Sequence, residues 1–362
     1  MKIPSIAQPK NDDDRARWRE QGLRRRLLTG SHIDDVRNEI ESMFSKEIAV
    51  DLEINPDLSR NPFLLIWQQL NVAYVEPPEV LTADPDADLA SIVTPKLWAQ
   101  QQQTSLYTLA MGECLVRLDL RHWLKDTEVS YRVVTPDVVL LDSKIGQPDM
   151  VGKVPEYRAR HGGIMTREVW DIRDINNPVF RIEKQEKGEW IDSTNEFSPE
   201  LVGQYPYRDT SGAPILPYIL YHNRVGSQLF NWTQGSEISA GALRLAALFT
   251  HWGDGFTNAA YPQRYIIDLE SPGGHTKTLG GQAVDVVSVD RKSILKFKSQ
   301  GPGGGSLGQF NASMDPLASI EALKVYEQGL AVYAGLNPSD LAVTQSAQSG
   351  YAIVVSREGQ RR

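Results

Sequence analysis

The chain has 362 residues, of which 41% are hydrophobic and 23% charged, with a formal net charge of −8 at pH 7. That length can bury a large core and gives room for two or more subdomains, while the acidic balance argues against gripping nucleic acid over a broad basic face. A single cysteine, Cys114, excludes an intramolecular disulfide or a cysteine-built zinc site and points to a reducing compartment. No run approaches the roughly 18 apolar residues of a membrane span, and the N-terminus lacks a signal peptide's apolar core.

Residues 1–30 carry Asp12 to Asp14, then Arg15, Arg17, Arg19, Arg24, Arg25 and Arg26. The expectation is a solvated arm or frayed helix, the alternative an arm touching a neighbouring subunit or an acidic partner. Ser31, with Asp34 three residues on, starts a helix whose face is Ile33, Val36, Ile40 and Phe44. Asn61-Pro62 starts another, with Phe63, Ile66, Leu70 and Tyr74 at spacings of three and four, stopped by Pro77-Pro78. A third runs from Thr94-Pro95 to Gly112, its glutamines at 100–103 forming one polar face.

After Gly112 the period changes. Cys114, Val116, Leu118 and Leu120 alternate with Glu113, Arg117 and Asp119, the pattern of a half-buried strand. Val129, Tyr131 and Val133 repeat it, and Val138 to Leu141 is a short apolar run after a Thr-Pro break. Further strands fit 167–173 and 179–184, with turns at Asn176-Asn177-Pro178 and Lys187-Gly188 and a proline-marked strand at Leu216–Ile219. Residues 113–220 therefore read as an antiparallel β region behind an all-helical segment.

Gly235 to Asn258 is a long helix with Ser236 as N-cap and a stripe of Ile238, Ala242, Leu245, Phe249, Trp252 and Phe256. Residues 262–312 hold short β pieces at 265–269, 284–289 and 294–297, separated by turn-rich segments. Their densest charges are Asp290, Arg291, Lys292, Lys296 and Lys298. Asp315-Pro316 then opens a helix carrying Leu317, Ile320, Leu323, Tyr326, Leu330 and Tyr333, with Gly335 as C-cap and Pro338 forbidding continuation. A small-residue polar loop follows to Ser349, and an apolar helical pattern restarts at Gly350-Tyr351-Ala352-Ile353-Val354.

Taken alone, that last stretch is a helical hairpin of a kind many globular domains contain. With its Ser349-Gly350-Tyr351-Ala352 step, and with the order of the preceding elements, it resembles the core of tailed-bacteriophage portal (head-tail connector) proteins. The resemblance implies an α+β chain in seven parts. These are a charged arm (1–30), a helical and β wing (31–232), a stem helix (233–260), a small α/β clip (261–314), a second stem helix (315–335), a channel or tunnel loop (336–349) and the start of a kinked helix (350–362). In that family the kinked helix runs on into a helical crown.

It further implies a dodecameric ring at one capsid vertex of the virion, assembled in the host cytoplasm, through which double-stranded DNA is packaged and ejected. The partners would be a separate terminase ATPase, a head-tail adaptor and the major capsid protein, with no membrane and no cofactor. The channel loop would use Ser339, Asp340, Thr344, Gln345, Ser346, Gln348 and Ser349, and Lys324 would touch phosphate in the bore. Asp290, Arg291, Lys292, Lys296 and Lys298 would dock the motor on the clip, and Ile238, Leu245, Phe249 and Trp252 would pack between subunits. A loop with one charge suits a polyanion that must move, because many cations would hold it.

Catalytic motifs point elsewhere. Gly273-Gly274-His275-Thr276-Lys277-Thr278 lacks the spacing and feeding strand of a phosphate loop. Gly304-Gly305-Ser306-Leu307-Gly308 matches a nucleophile elbow by letters but lies in a glycine run. The six histidines (His32, His122, His161, His222, His251, His275) include no pair spaced for one helical face. No carboxylate pair is marked as an acid and base, so the expectation is a protein that is not an enzyme. The alternatives are a hydrolase-like enzyme built on the β region and a non-channel head-tail adaptor.

Overall fold

The computed structural model describes residues 12–43, 55–74, 95–120, 129–144, 147–159, 163–223, 235–260, 263–267, 275–279, 282–286, 294–297, 307–310 and 315–337. The chain is α+β and divides into two compact units. The first comprises 1–32, 61–242 and 330–362; the second comprises 33–60 and 243–329. Its helices are α1 (Asp12–Thr29), α2 (Ile33–Met43), α3 (Pro62–Leu70), α4 (Pro95–Met111), the short α5 (Thr194–Phe197), α6 (Ser236–Ala260) and α7 (Pro316–Tyr333).

Local rules explain the helix ends. The Asn61 side chain accepts from Leu64 N at 3.2 Å, with Pro62 following it in the first turn. Asp315 does the same for α7, its Oδ1 accepting from Leu317 N (3.0 Å) and Ala318 N (3.1 Å). Gly335 adopts φ +84, and Leu336 N donates to Ala331 O at 2.9 Å, the six-to-one bond of a left-handed C-terminal cap. α3 ends at Leu70, earlier than its apolar spacing suggests, so Tyr74 lies beyond the helix at φ +58 with its ring stacked on Trp98. The Pro77-Pro78 stop lies outside the described residues.

The first unit holds two sheets. One has the order β2-β1-β8, from β1 (Glu113–Leu120), β2 (Val129–Val134) and β8 (Tyr218–His222). The other has the order β3-β4-β5-β6-β7, from β3 (Asp142–Lys144), β4 (Gln147–Ala159), β5 (Met165–Asp171), β6 (Val179–Glu186) and β7 (Glu189–Asp192). All neighbours in both sheets are antiparallel. Lys187 (φ 50) and Gly188 (φ 90) make the tight β6–β7 turn, both residues left-handed as such a two-residue hairpin requires. The run Val138 to Leu141 forms no strand; residues Pro136–Val138 make a 3-10 turn and Val139 bridges singly to Glu156.

The half-buried pattern expected of β1 is corrected. Glu113 (1% exposed) and Arg117 (7%) are as buried as Cys114 and Val116. β1 is the central strand of its sheet and is covered on both faces. On one, Cys114 lies against Thr108 of α4; on the other, Leu115 packs with Val154 of β4. A strand covered twice has no solvent side for its polar residues to occupy.

The solvated arm is corrected for its described part, α1; residues 1–11 lie outside the described residues. α1 buries Arg17, Trp18, Gln21, Arg24 and Leu27. It docks largely through charged donors on carbonyls. Arg17 donates to Pro136 O (2.9 Å) and Val139 O (3.1 Å), Trp18 to Val139 O (3.0 Å), Gln21 to Met111 O (2.9 Å) and Arg24 to Ala110 O (3.3 Å). The last two reach the open carbonyl end of α4, where a cation also complements the helix dipole. Leu27 joins Phe63, Ile66, Trp67, Ala110, Ile238 and Ala242 in one apolar cluster.

In the second unit, Val36 and Ile40 of α2 pack with Ala246 and Ala247 of α6 and with Leu58. The same unit carries β9 (Gln263–Ile267), β10 (His275–Leu279), β11 (Gln282–Val286), β12 (Ile294–Phe297) and β13 (Leu307–Phe310). β12-β9-β13 form one sheet, with β12 parallel and β13 antiparallel to β9, and β10-β11 form a hairpin. Among the described residues of 263–310 there are strands and no helix, where a mixed α/β module was expected.

Candidate functional site

Two places concentrate chemistry, one in each unit. In the first unit a cluster of charges lies between the two sheets. Glu156 of β4 receives Arg132 on both oxygens (2.8 and 3.2 Å), Arg158 Nε on Oε1 (2.9 Å), Arg117 Nη1 on Oε2 (3.3 Å) and the Tyr218 hydroxyl on Oε2 (2.6 Å). Glu168 of β5 pairs with Arg117 and, at 3.1 Å, with Arg158. The Arg117 guanidinium lies 5.3 Å from the Trp170 ring centroid and 5.9 Å from that of Tyr218, within cation–π range.

Burial alone would raise the Glu156 carboxyl, but Arg158, Arg132 and Arg117 outweigh it and hold it at about 2. Burial, reinforced by Glu156, pushes the Tyr218 hydroxyl far up, so it stays protonated and donates. The arrangement bolts sheet to sheet around a Glu156 carboxylate that stays ionised at neutrality. Alternation in β1 offered no sign of it, because the partners lie 39 and 51 residues away in sequence.

In the second unit the site is a pair of helix surfaces. On α6, Phe249, Trp252 and Phe256 stack along one side, with ring centroids 5.5 and 5.9 Å apart. They extend the stripe begun by Ile238, Ala242 and Leu245, since all six fall within an arc of about 80° at 100° per residue. The stripe loses cover along its length, from buried Leu245 through partly buried Phe249 and Trp252 to Phe256 at 49% exposed. Arg60 lies over the Phe249 ring at 5.6 Å and pairs with buried Glu327 of α7 at 2.7 Å. Desolvation raises the Glu327 carboxyl, and Arg60 only partly offsets it.

α7 is apolar on both sides. Inward it presents Ile320 and Leu323 together with Glu327, all buried or partly so. Outward it exposes Val325 (62%) and Tyr326, with Ala318, Ala322 and Gly329 also open, while the exposed Leu317 (78%) falls between Lys324 and Gln328 around the helix. By helical rotation Ala318, Ala322 and Gly329 fall within about 40° of one another, with Val325 to one side and Tyr326 to the other. A helix that serves only its own core is expected to be polar on its far side.

Two glycines in these helices differ in kind. A Cβ on Gly241 would meet Leu330 Cδ2 at 2.4 Å, so close packing inside the first unit accounts for that glycine. A Cβ on Gly329 would meet nothing within 4 Å among the described residues. Glycine within a helix costs about 1 kcal/mol relative to alanine, and no neighbour among the described residues explains that cost at Gly329.

The residues expected to act fall out as follows. Ile238 and Leu245, expected between subunits, are buried within their own chain. Phe249 and Trp252 are partly open. Lys324 is exposed on the narrow polar strip of α7 with Glu321 and Gln328. Lys296 lies in β12, opposite Ile266 of β9. Asp290, Arg291, Lys292 and Lys298 lie outside the described residues, as do Ser339, Asp340, Thr344, Gln345, Ser346, Gln348 and Ser349. No described helix is long and apolar enough to cross a membrane. A scan of the chain against models of protein families matches none, and no curated protein matches it.

Proposed function

We propose that the chain is a subunit of a portal: a dodecameric ring at a capsid vertex of a tailed bacteriophage, through which double-stranded DNA enters and leaves. The observation that carries this reading is the run α6, strand module 263–310, α7, with α7 apolar on its outer as well as its inner side. Two helices flanking a small sheet module give the order of stem, clip and stem. An apolar outer face needs a cover, and side-to-side contacts between identical subunits supply one when they close a ring.

In this reading the work is geometric. The α6 and α7 pair forms the stem, the module docks a terminase and later a head-tail adaptor, and the first unit faces the major capsid protein. The net charge of −8 suits a conduit that must not retain a polyanion. Lys324, exposed on a strip with Glu321 and Gln328, offers weak, exchangeable contact to passing phosphate.

Class averages by electron microscopy, paired with native mass, test the reading directly. Closed rings with a central hole about as wide as a DNA duplex are expected; a homogeneous monomer or dimer at high concentration overturns it. Packaging by Lys324→Ala and by a chain lacking residues 345–348 tests the channel contacts, and wild-type packaging and DNA retention in both would remove them.

A further inference from the structure

The charge cluster between the two sheets of the first unit holds more guanidinium than carboxylate. Among the described side chains Arg117, Arg132 and Arg158 face Glu156 and Glu168. Arg158 places Nε on Glu156 Oε1 (2.9 Å) and Nη1 on Glu168 Oε1 (3.1 Å), while its Nη2 is shut off from solvent with no hydrogen-bond partner. Arg132 Nη1 donates to the same Glu156 Oε1 at 2.8 Å, so the bonded nitrogens of the two guanidiniums lie within about 6 Å of each other. The Tyr218 hydroxyl does not offset the surplus, because it is itself a donor to Glu156.

An ionised donor left unpaired out of water is costly, and a surplus guanidinium between two sheets favours a counter-ion. The cluster comes nearest to solvent at these two side chains: Arg132 is 39% exposed and Arg158 31%, against 9% for Arg117. We infer that this end of the cluster binds one small oxyanion of the phosphate class, held by Arg158 Nη2 and the Arg132 guanidinium. Two neighbouring guanidiniums suit such an ion, because their planar forks donate to several of its oxygens and keep their charge at any working pH. With Nη2 closed off, the anion enters as the half-open head of Arg132 turns on the one carboxylate that holds it, Glu156. The site lies wholly within one chain and is independent of ring assembly.

The test titrates inorganic phosphate into the full chain at fixed ionic strength, with the heat of binding and the thermal midpoint as readouts. Wild type should bind a single phosphate saturably, and its midpoint should climb with phosphate as a ligand of the folded state requires. Arg158→Gln leaves two guanidiniums on two carboxylates; it should weaken phosphate binding tenfold or more and flatten that climb. A purely structural arginine would instead lower the midpoint equally at every phosphate concentration. Arg132→Gln, at the more exposed position, should behave likewise and decides the matter if Arg158→Gln does not fold. Wild type without saturable binding, or either folded variant with wild-type affinity, overturns the site.

Discussion

The two units handle the same problem, surface that water should not see, in opposite ways. The first unit places charge in its interior and answers it from within: Glu156 alone takes three guanidiniums and a hydroxyl, all from its own chain. The second unit answers its buried Glu327 with one arginine, Arg60, and leaves an apolar helix face and an aromatic ridge open. A region that pairs its own carboxylates behaves as a finished body; one that leaves apolar surface uncovered has the surface of a part. On the proposed ring reading, the sheets would supply the rigid body and the helices the assembling surface.

The largest effect should come from breaking the bolt. Glu156→Gln leaves three arginines short of their shared carboxylate, and losing one partner of a buried ionic group costs about 3–5 kcal/mol. Chemical denaturation should show the loss; an unchanged midpoint would mean the cluster is not holding the sheets together. Arg60→Ala should cost less, about 2 kcal/mol, because Arg60 is partly exposed and Glu327 loses one charge-assisted bond.

Acid should separate the two regions by sign. Glu156 has its folded-state value depressed from 4.5 to about 2. Its contribution is full above pH 4.5, about 3 kcal/mol at 1.36 kcal/mol per unit, and is lost as pH falls toward 2. Glu327 has its value raised above 4.5, so it favours folding below that pH, and the advantage fades as pH rises through the folded value. The penalty of Arg60→Ala should therefore shrink on acidification while that of Glu156→Gln shrinks only near pH 2–4. Denaturation midpoints taken across pH 2–7 for both variants check this, and parallel curves would refute it.

The smallest effect contrasts the two glycines. Gly241→Ala gains helix propensity but forces Leu330 aside from a 2.4 Å clash, for a net loss of about 1 kcal/mol. Gly329→Ala meets no clash among the described residues and should be neutral or stabilising. Thermal unfolding of the two side by side separates them; equal shifts would erase the distinction between an inward-facing and an outward-facing glycine.

Much of the fold was legible locally. Asn61-Pro62, Asp315-Pro316 and Gly335 mark helix ends because capping satisfies backbone groups within three or four residues of each signal. β12 and the β6–β7 turn were readable for the same reason: β alternation and left-handed dihedrals are near-neighbour properties. β4 went unread because its Pro148, Gly152 and Pro155 break the usual strand composition, and its bonds come from strands placed on either side of it. The α6 stripe was legible as a stripe, but the point where its cover ends was not, since Leu245 and Phe256 look alike until neighbours are placed.

The sequence by itself determined where helices begin and end, the α+β alternation and the apolar stripes, because each is decided by bonds and spacings a few residues long. Only the tertiary structure decided that the arginines of α1 are docking groups, that Arg117 lies inside a double-covered sheet, and that Gly241 faces inward while Gly329 faces out. Those outcomes depend on partners dozens to hundreds of residues away. The same charged or small side chain is solvated, bolted or waiting for a neighbour according to what folding brings against it.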